Sequence, residues 1–172
     1  MKSCVFFGHR DYYNYSQYKN ELKIVLKMLI EKHNVTRFYA GGRGAFDQFC
    51  SSTVHELKKE FPDIEMCLFL SYLPVKKENF ILPANYDSSV YALEKPTPPK
   101  FAILKTNEKM IDECNFVLSG VCYSWGGAYT AISYAKRKKR PIIPFSEFII
   151  QKEKHVKNET ALINLLKEMD CL

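Results

Sequence analysis

The length of 172 residues, with 47% hydrophobic and 26% charged residues, is that of one ordinary globular domain and excludes a disordered chain. No run approaches the ~20 apolar residues of a membrane span, and the first residues lack a signal-peptide pattern, so we expect a cytoplasmic protein without a membrane partner. Six scattered cysteines without CxxC spacing suit a reducing compartment and predict no structural metal site.

Strand-like and helix-like segments alternate along the chain. Strands that are apolar throughout and separated by helices predict a parallel sheet that is covered on both faces. The expected fold class is therefore α/β, a Rossmann-like, doubly wound and mainly parallel sheet of about five strands with helices on both faces. The strands are expected at 3–8, 35–40, 64–71, 116–121 and 141–145, and the helices at 16–33 (capped by Ser16), 45–60, 107–114, 127–139 and 158–170.

Residues 72–104 interrupt this alternation. They are rich in Pro, Tyr and Lys and lack a clear period. So long an irregular segment in a compact domain is usually functional or mobile. We expect an insertion or lid over the sheet edge, within a single domain that spans 1–172.

The seven glycines carry the strongest functional signal, because they end or follow predicted strands. In an open parallel sheet, ligands bind outside the carboxyl ends of the strands. Two glycine turns, at 41–47 and 125–130, open directly into helices, and such helix starts bind phosphate. The alternative is that glycine serves only the geometry of two tight turns. Neither turn matches the dinucleotide fingerprint or a P-loop, so neither NAD nor any other cofactor is predicted.

Several side chains are expected at the same edge. Arg43 is suited to a bidentate contact with phosphate, and Trp125 either stacks on a base or packs against its helix. Asp47 braces the second helix start or touches the ligand, while Thr106 is a candidate N-cap beside Asn107. The predicted ligand-binding residues are Gly8, His9, Arg10, Gly41, Gly42, Arg43, Gly44, Asp47, Asn107, Ser124, Trp125, Gly126, Gly127 and Thr130.

The net charge of +6 is concentrated in one run at 136–140. Cations at the end of a helix complement its dipole. A groove for single-stranded nucleic acid would need aromatic residues interleaved with the cations, and this run has none. We therefore expect a solvated helix end, and nucleic acid is not the expected partner.

The stretches at 7–10, 39–47, 86–87, 100–103, 107–112, 124–128 and 134–136 follow one another in the order known from a protein superfamily. Over roughly residues 3–145 the sequence resembles the SLOG superfamily, Rossmann-like domains named for the Smf/DprA and LOG proteins. It is most similar to the bacterial and phage branch called DUF1273 or YpsA-like. The resemblance implies that a nucleotide or a nucleotide-derived ligand binds in the glycine-lined crevice.

The chain departs from this pattern where the related enzymes carry their catalytic groups. Thr106 stands where the branch has an arginine. Ser133 stands where the LOG phosphoribohydrolases have a catalytic Glu, and Ala131 where the nucleoside deoxyribosyltransferases have their nucleophile. Glycosidic cleavage needs a carboxylate, and residues 126–140 contain none. The missing group would have to come from Asp47, Asp87 or Glu94.

Three functions follow from these observations. The leading one is a binding module that senses or sequesters a nucleotide-derived small molecule, which for a viral source would be an immune signalling nucleotide. The second is a LOG-like hydrolase of an N-glycosidic or phosphate bond, with His9 as acid or base. The third is a DprA-like nucleic-acid-binding protein.

The tyrosine-rich segments 12–18 and 86–91 either form a homodimer interface or cover the sheet.

Overall fold

The computed structural model describes residues 1–11, 13–73, 80–93, 97–153 and 158–171. Six strands form one sheet in the order β4-β3-β2-β1-β5-β6, and every neighbouring pair is parallel. The expected α/β, Rossmann-like class is confirmed, with six strands instead of about five. The strands are β1 (Lys2–Gly8), β2 (Val35–Ala40), β3 (Glu65–Leu70), β4 (Ser88–Tyr91), β5 (Phe116–Gly120) and β6 (Ile142–Ile143).

Helices cover both faces of the sheet, because successive residues of a strand point to opposite faces. On β1, Cys4 and Phe6 belong to a core that α1, α2, α5 and α6 complete, whereas Val5 and Phe7 belong to a second core beneath α3 and α4. Among the residues described, no helix has both the length and the apolar character that a membrane crossing requires. The helices are α1 (Lys19–Glu31), α2 (Ala45–Leu57), α3 (Pro99–Glu113), α4 (Gly126–Arg137), α5 (Phe145–Glu153) and α6 (Asn158–Asp170), and a 3-10 helix (Tyr13–Tyr18) precedes α1.

Two of the predicted helix caps are wrong. Ser16 lies within the 3-10 helix, and Tyr18 occupies the N-cap position of α1 without a side-chain hydrogen bond. Thr106 lies in the middle of α3, where its hydroxyl donates a hydrogen bond to the carbonyl of Ala102 (2.9 Å). A threonine can bond back to the carbonyl four residues earlier in this way, so the residue type alone does not mark a helix start.

The segment 72–104 is more regular than its composition indicates. It contains the edge strand β4 and the first turns of α3, which begins at Pro99, a residue that suits the first position of a helix. The lid expected within 72–104 falls partly on residues 74–79 and 94–96, which lie outside the described residues. The structure also adds α5, which the sequence did not predict.

The strand order reverses beside β1. Strands β1 to β4 succeed one another outward on one side, and the chain then returns to place β5 on the other side of β1. Gly8 and Gly120, the last residues of β1 and β5, are register partners. A crevice forms at such a reversal, outside the carboxyl ends of the strands.

Phe46, in the first turn of α2, occupies the space above these two glycines. A Cβ atom added to either Gly8 or Gly120 would overlap the Phe46 ring. Glycine is therefore needed at both positions because any side chain would displace a buried aromatic ring. The sequence analysis gave a different reason for these glycines, namely the close approach of a ligand. This packing fixes the start of α2 at the crevice.

We expect Gly120→Ala to destabilise the fold by about 1–3 kcal/mol, the usual cost of overpacking a core. Urea denaturation measures the free energy of unfolding. Gly127→Ala is the matched control, because no described atom lies within 4 Å of a Cβ at that position. The destabilisation should disappear when Gly120→Ala is made in a Phe46→Ala background. Equal costs in both backgrounds would contradict the packing account.

Candidate ligand-binding cleft

A cleft of about 340 Å³ opens at the carboxyl ends of the strands. Its walls are the turns that follow β1, β2 and β5, together with one side of α3. These turns converge because all strands are parallel and end at the same edge. Of the predicted ligand-binding residues, the cleft is lined by Gly8, His9, Arg10, Gly41, Arg43, Asp47, Asn107, Trp125, Gly126 and Gly127.

The other four predicted residues lie outside this lining. Gly42 and Gly44 belong to the same turn but face a neighbouring cavity. Their positive φ angles of 68° and 128° favour glycine, and Gly44 approaches the backbone of Arg10 too closely for a side chain. Ser124 is exposed, and the Thr130 hydroxyl donates a hydrogen bond to the carbonyl of Gly126 (3.1 Å).

The start of α4 is open to the cleft. Trp125 occupies the N-cap position, and no side chain in the described part of the chain caps the helix. Gly126, Gly127 and Ala128 line the cleft, and a Cβ added at either glycine would have no described atom within 4 Å. The first amides of a helix need partners and carry the positive end of its dipole. This helix start therefore offers hydrogen-bond donors and positive potential to an anion.

His9 joins the turn after β1 to the turn after β5. Its Nε2 accepts hydrogen bonds from the backbone N–H groups of Cys122 (2.8 Å) and Tyr123 (3.0 Å). Burial lowers the pKa of His9, which keeps the imidazole neutral and the acceptor available. The Nε2 lone pair is thus engaged within the protein. This geometry favours a positioning role over the acid or base role considered for His9 in a hydrolase.

An aromatic stack extends from His9 to the mouth of the cleft. The ring centroids of His9 and Tyr123 are 4.2 Å apart, and the Tyr123 and Trp125 rings stack at 5.6 Å with an interplanar angle of 11°. Trp125 is 70% exposed. The Trp125 ring stacks on Tyr123 and remains largely exposed, so it is available to contact a ligand.

Asp47 braces the turn after β2. Its Oδ2 accepts a hydrogen bond from the backbone N–H of Arg43 (2.8 Å). Asp47 retains some contact with the cleft. Burial in the surrounding protein raises the pKa of its carboxyl group to about 6, and the nearby backbone amides and the charges of Arg43 and Arg10 partly offset this rise. The guanidinium of Arg43 stands 5.0 Å from the ring centroid of Tyr72. Two arginines and one weakly acidic carboxylate therefore share this wall.

The other candidate carboxylates lie elsewhere. Asp87 forms an ion pair with Lys58 and accepts a hydrogen bond from the backbone N–H of Met66 (2.8 Å), and it does not line the cleft. Glu94 lies outside the described residues. The described part of the chain contains no group of three or more His, Cys, Asp or Glu side chains that could hold a metal ion.

The basic run at the end of α4 is partly engaged with one acidic residue. Lys138 pairs with the Asp112 carboxylate (3.0 Å), and Arg140 donates a hydrogen bond to the Asp112 carbonyl (2.6 Å). These contacts fit the interpretation of a helix end whose charges serve local structure.

Sequence reasoning missed several residues of the cleft wall. Tyr123 could have been found, since it is an aromatic residue two positions before Trp125. Ile103 could not, because the helix that carries it was expected to begin only at 107. The missed residues are Phe6, Phe7, Asp11, Ser71, Ile103, Met110, Tyr123 and Ala128.

Solved structures with the same fold include two proteins. The structural-genomics target TM1055 superposes with a TM-score of 0.54 at 15% sequence identity, over 83% of this chain and 72% of TM1055. DNA processing protein A (DprA) from Streptococcus pneumoniae superposes with a TM-score of 0.57 at 15% identity, over 83% of this chain and 49% of DprA. The chain therefore shares the Rossmann-like α/β fold of these two proteins.

This likeness confirms the fold that the sequence resemblance implied. The chain spans about half the length of DprA, whose remainder has no counterpart in the superposition. No protein-family model and no curated protein sequence matches the chain. The DUF1273 or YpsA-like branch therefore stays a prediction.

The two hydrogen bonds to His9 Nε2 predict a pH dependence of stability. Because the folded pKa of His9 lies below its ordinary value of 6.5, the unfolded chain binds more protons between those two values. The contribution of His9 to stability is full above pH 6.5 and is lost as the pH falls through the folded pKa. His9→Gln replaces Nε2 by a carbonyl acceptor that does not titrate.

We expect the free energy of unfolding of the wild-type protein, measured relative to His9→Gln, to be constant above pH 6.5 and to decrease below it. Urea denaturation between pH 4.5 and 8 makes the comparison. Parallel stability curves for the two proteins would contradict the role of His9 as an acceptor.

Proposed function

We propose that the chain binds a nucleotide or a nucleotide-derived small molecule in the cleft, as a sensor or a sequestering protein. The observation that carries this proposal is the uncapped start of α4, whose glycines face the cleft with open space around them. Helix starts of this kind bind phosphate through backbone amides and the helix dipole. The Arg10 and Arg43 side chains add positive charge on the opposite side of the cleft.

The exposed aromatic pair supports a nucleotide rather than free phosphate. Tyr123 and Trp125 both line the cleft, and Trp125 presents a largely exposed ring beside the helix start. A base stacked on such a ring gains about 1–3 kcal/mol. A nucleotide could therefore stack its planar base on Trp125 and bind the start of α4 through its phosphate.

Asp47 supports a second candidate function, hydrolysis of the bound ligand. A carboxyl group with a pKa of about 6 is close to the value that suits a general acid or base near neutral pH. Backbone hydrogen bonds from Arg43 and Gly42 hold this carboxyl group at the wall of the cleft, where it could act on a ligand. Recovery of cleaved ligand would establish this function in place of simple binding.

The third candidate, binding of nucleic acid, has less support. The basic run begins near the end of α4, about 15 Å from its first residue by the rise of an α-helix. At that distance the cations do not add to the positive charge that Arg10 and Arg43 give to the lining of the cleft. Nucleic-acid binding would weaken steeply with salt, which separates it from binding of a small ligand in the cleft.

Native mass spectrometry with mono-, di- and cyclic nucleotides and ADP-ribose derivatives tests the proposal. We expect a 1:1 adduct at the mass of the intact ligand. A product of lower mass would instead establish hydrolysis, and the absence of any adduct would contradict both functions.

Gly127→Asp should reduce nucleotide affinity at least about 10-fold, because a carboxylate at the helix start repels phosphate. The same carboxylate interacts favourably with the helix dipole, by about 0.3–1 kcal/mol, so stability should be unchanged or higher. Isothermal titration calorimetry measures the affinity. Tyr129→Asp is the matched control, since it adds the same charge to the same helix turn outside the cleft lining. Equal losses in both variants would contradict a phosphate site at Gly127.

Trp125→Ala should weaken nucleotide binding about 10-fold or more through loss of stacking, with little effect on the free energy of unfolding because the side chain is exposed. Tyr129→Ala removes an exposed aromatic ring from the same helix and serves as the control. Titration with inorganic phosphate should show no difference between the two variants. Unchanged nucleotide affinity in Trp125→Ala would contradict base stacking at this residue.

A further inference from the structure

A second chamber of about 700 Å³ adjoins the cleft, on the side of α2 and the end of β3. The two cavities share a wall made by Arg10, Gly41, Arg43 and Ser71. Both volumes lie in the range of small-molecule sites, about 300–1,000 Å³. The second chamber is not needed for a base and a single phosphate, which the cleft alone accommodates in the proposed function.

The lining of the second chamber combines apolar and polar residues, and its described residues carry charge only at the shared wall. Among its described lining residues, only the two arginines of the shared wall carry charge. The remaining polar side chains donate or accept hydrogen bonds without a net charge: Gln48, Ser51, Ser71, Tyr72, Asn85 and Tyr86. A lining of this mixed kind suits a neutral sugar, whose hydroxyls form hydrogen bonds with the polar side chains and whose ring carbons pack against the apolar ones.

Tyr86 provides the sharpest indication of a ligand. The residue is 9% exposed, and its hydroxyl is buried without a hydrogen-bond partner of normal geometry among the described residues, although Ser51 and Asp47 lie nearby. Burial, together with the Asp47 charge, raises the pKa of Tyr86 to about 12, so the hydroxyl keeps its proton. A buried hydroxyl without a partner is costly, and a polar ligand group would satisfy it.

We infer that the second chamber binds the sugar of a nucleoside diphosphate sugar, whose diphosphate lies between the start of α4 and the Arg10 and Arg43 side chains and whose base stacks at Trp125. This inference rests on the proposed function and specifies its ligand class. The order of the sites matches the order of the groups in such a ligand. The aromatic pair comes first, the cationic shared wall follows, and the neutral chamber comes last.

Calorimetric titration of the full chain with matched pairs tests the inference: ADP with ADP-ribose, UDP with UDP-glucose, and GDP with GDP-mannose. Each pair differs by the sugar, and the sugar-bearing member carries less negative charge. We expect the sugar-bearing member of the preferred pair to bind about 10-fold more tightly. Its smaller negative charge alone would make it bind the arginines more weakly.

Tyr86→Phe removes the hydroxyl and retains the ring. It should weaken binding of the sugar-bearing ligand roughly 3- to 10-fold and leave binding of the plain diphosphate unchanged. Gln48→Ala, at an exposed position of α2, should act in the same direction without disturbing the fold. Ser52→Ala, on the same helix but outside the chamber lining, is the control.

The outcomes separate the inference from the function on which it rests. Equal affinities within every pair, unchanged by Tyr86→Phe and Gln48→Ala, would overturn the inference and leave nucleotide binding intact. Failure of all six ligands in a chain that binds another nucleotide would overturn the inference alone, and failure of every nucleotide in the native mass spectrometry panel would overturn the proposed function together with it.

Discussion

The contact of Phe46 with two glycines determines where the rest of the site can form. Gly8 and Gly120 end neighbouring parallel strands in register, and the absence of their side chains leaves the space that the Phe46 ring fills. The first turn of α2 is thereby held over the reversal of the strand order. From this position the turn before α2 presents Arg43, and the first turn of α2 presents Asp47, to the same cleft that the start of α4 enters. The packing of Phe46 in the core thus determines the geometry of the cleft.

The turns around the cleft are also joined to one another by polar contacts. His9 accepts hydrogen bonds from the loop before α4, and Tyr15 donates a hydrogen bond to the carbonyl of Gly120 (2.8 Å) while accepting one from the His9 backbone (3.1 Å). Asp47 holds the turn after β2. These contacts hold the donors in place before a ligand arrives, which reduces the ordering that binding requires. The cleft is therefore preorganised.

Regular, strongly patterned elements were predictable from the sequence, and elements that depend on distant contacts were not. The apolar run of β2 and the periodic helix α6 have the bounds that their patterns indicated. The edge strand β4, with only four half-exposed residues, carries no such pattern. The glycine turns identified the binding edge, but the sequence alone could not show that Gly8 and Gly120 also make room for the Phe46 ring. The burial of the Tyr86 hydroxyl and the second chamber arise only when β3, α2 and the turn at 83–86 come together.

The central claim is that the start of α4 and the turn after β2 receive the phosphate of a nucleotide. The most direct measurement is a titration of the ¹⁵N-labelled protein with the nucleotide that binds best, followed by NMR. The account predicts that the amide signals of Gly127, Ala128 and residues 41–43 shift together and saturate with one binding constant. Shifts confined to the basic run at 136–140, or shifts that are absent at the α4 start, would contradict it.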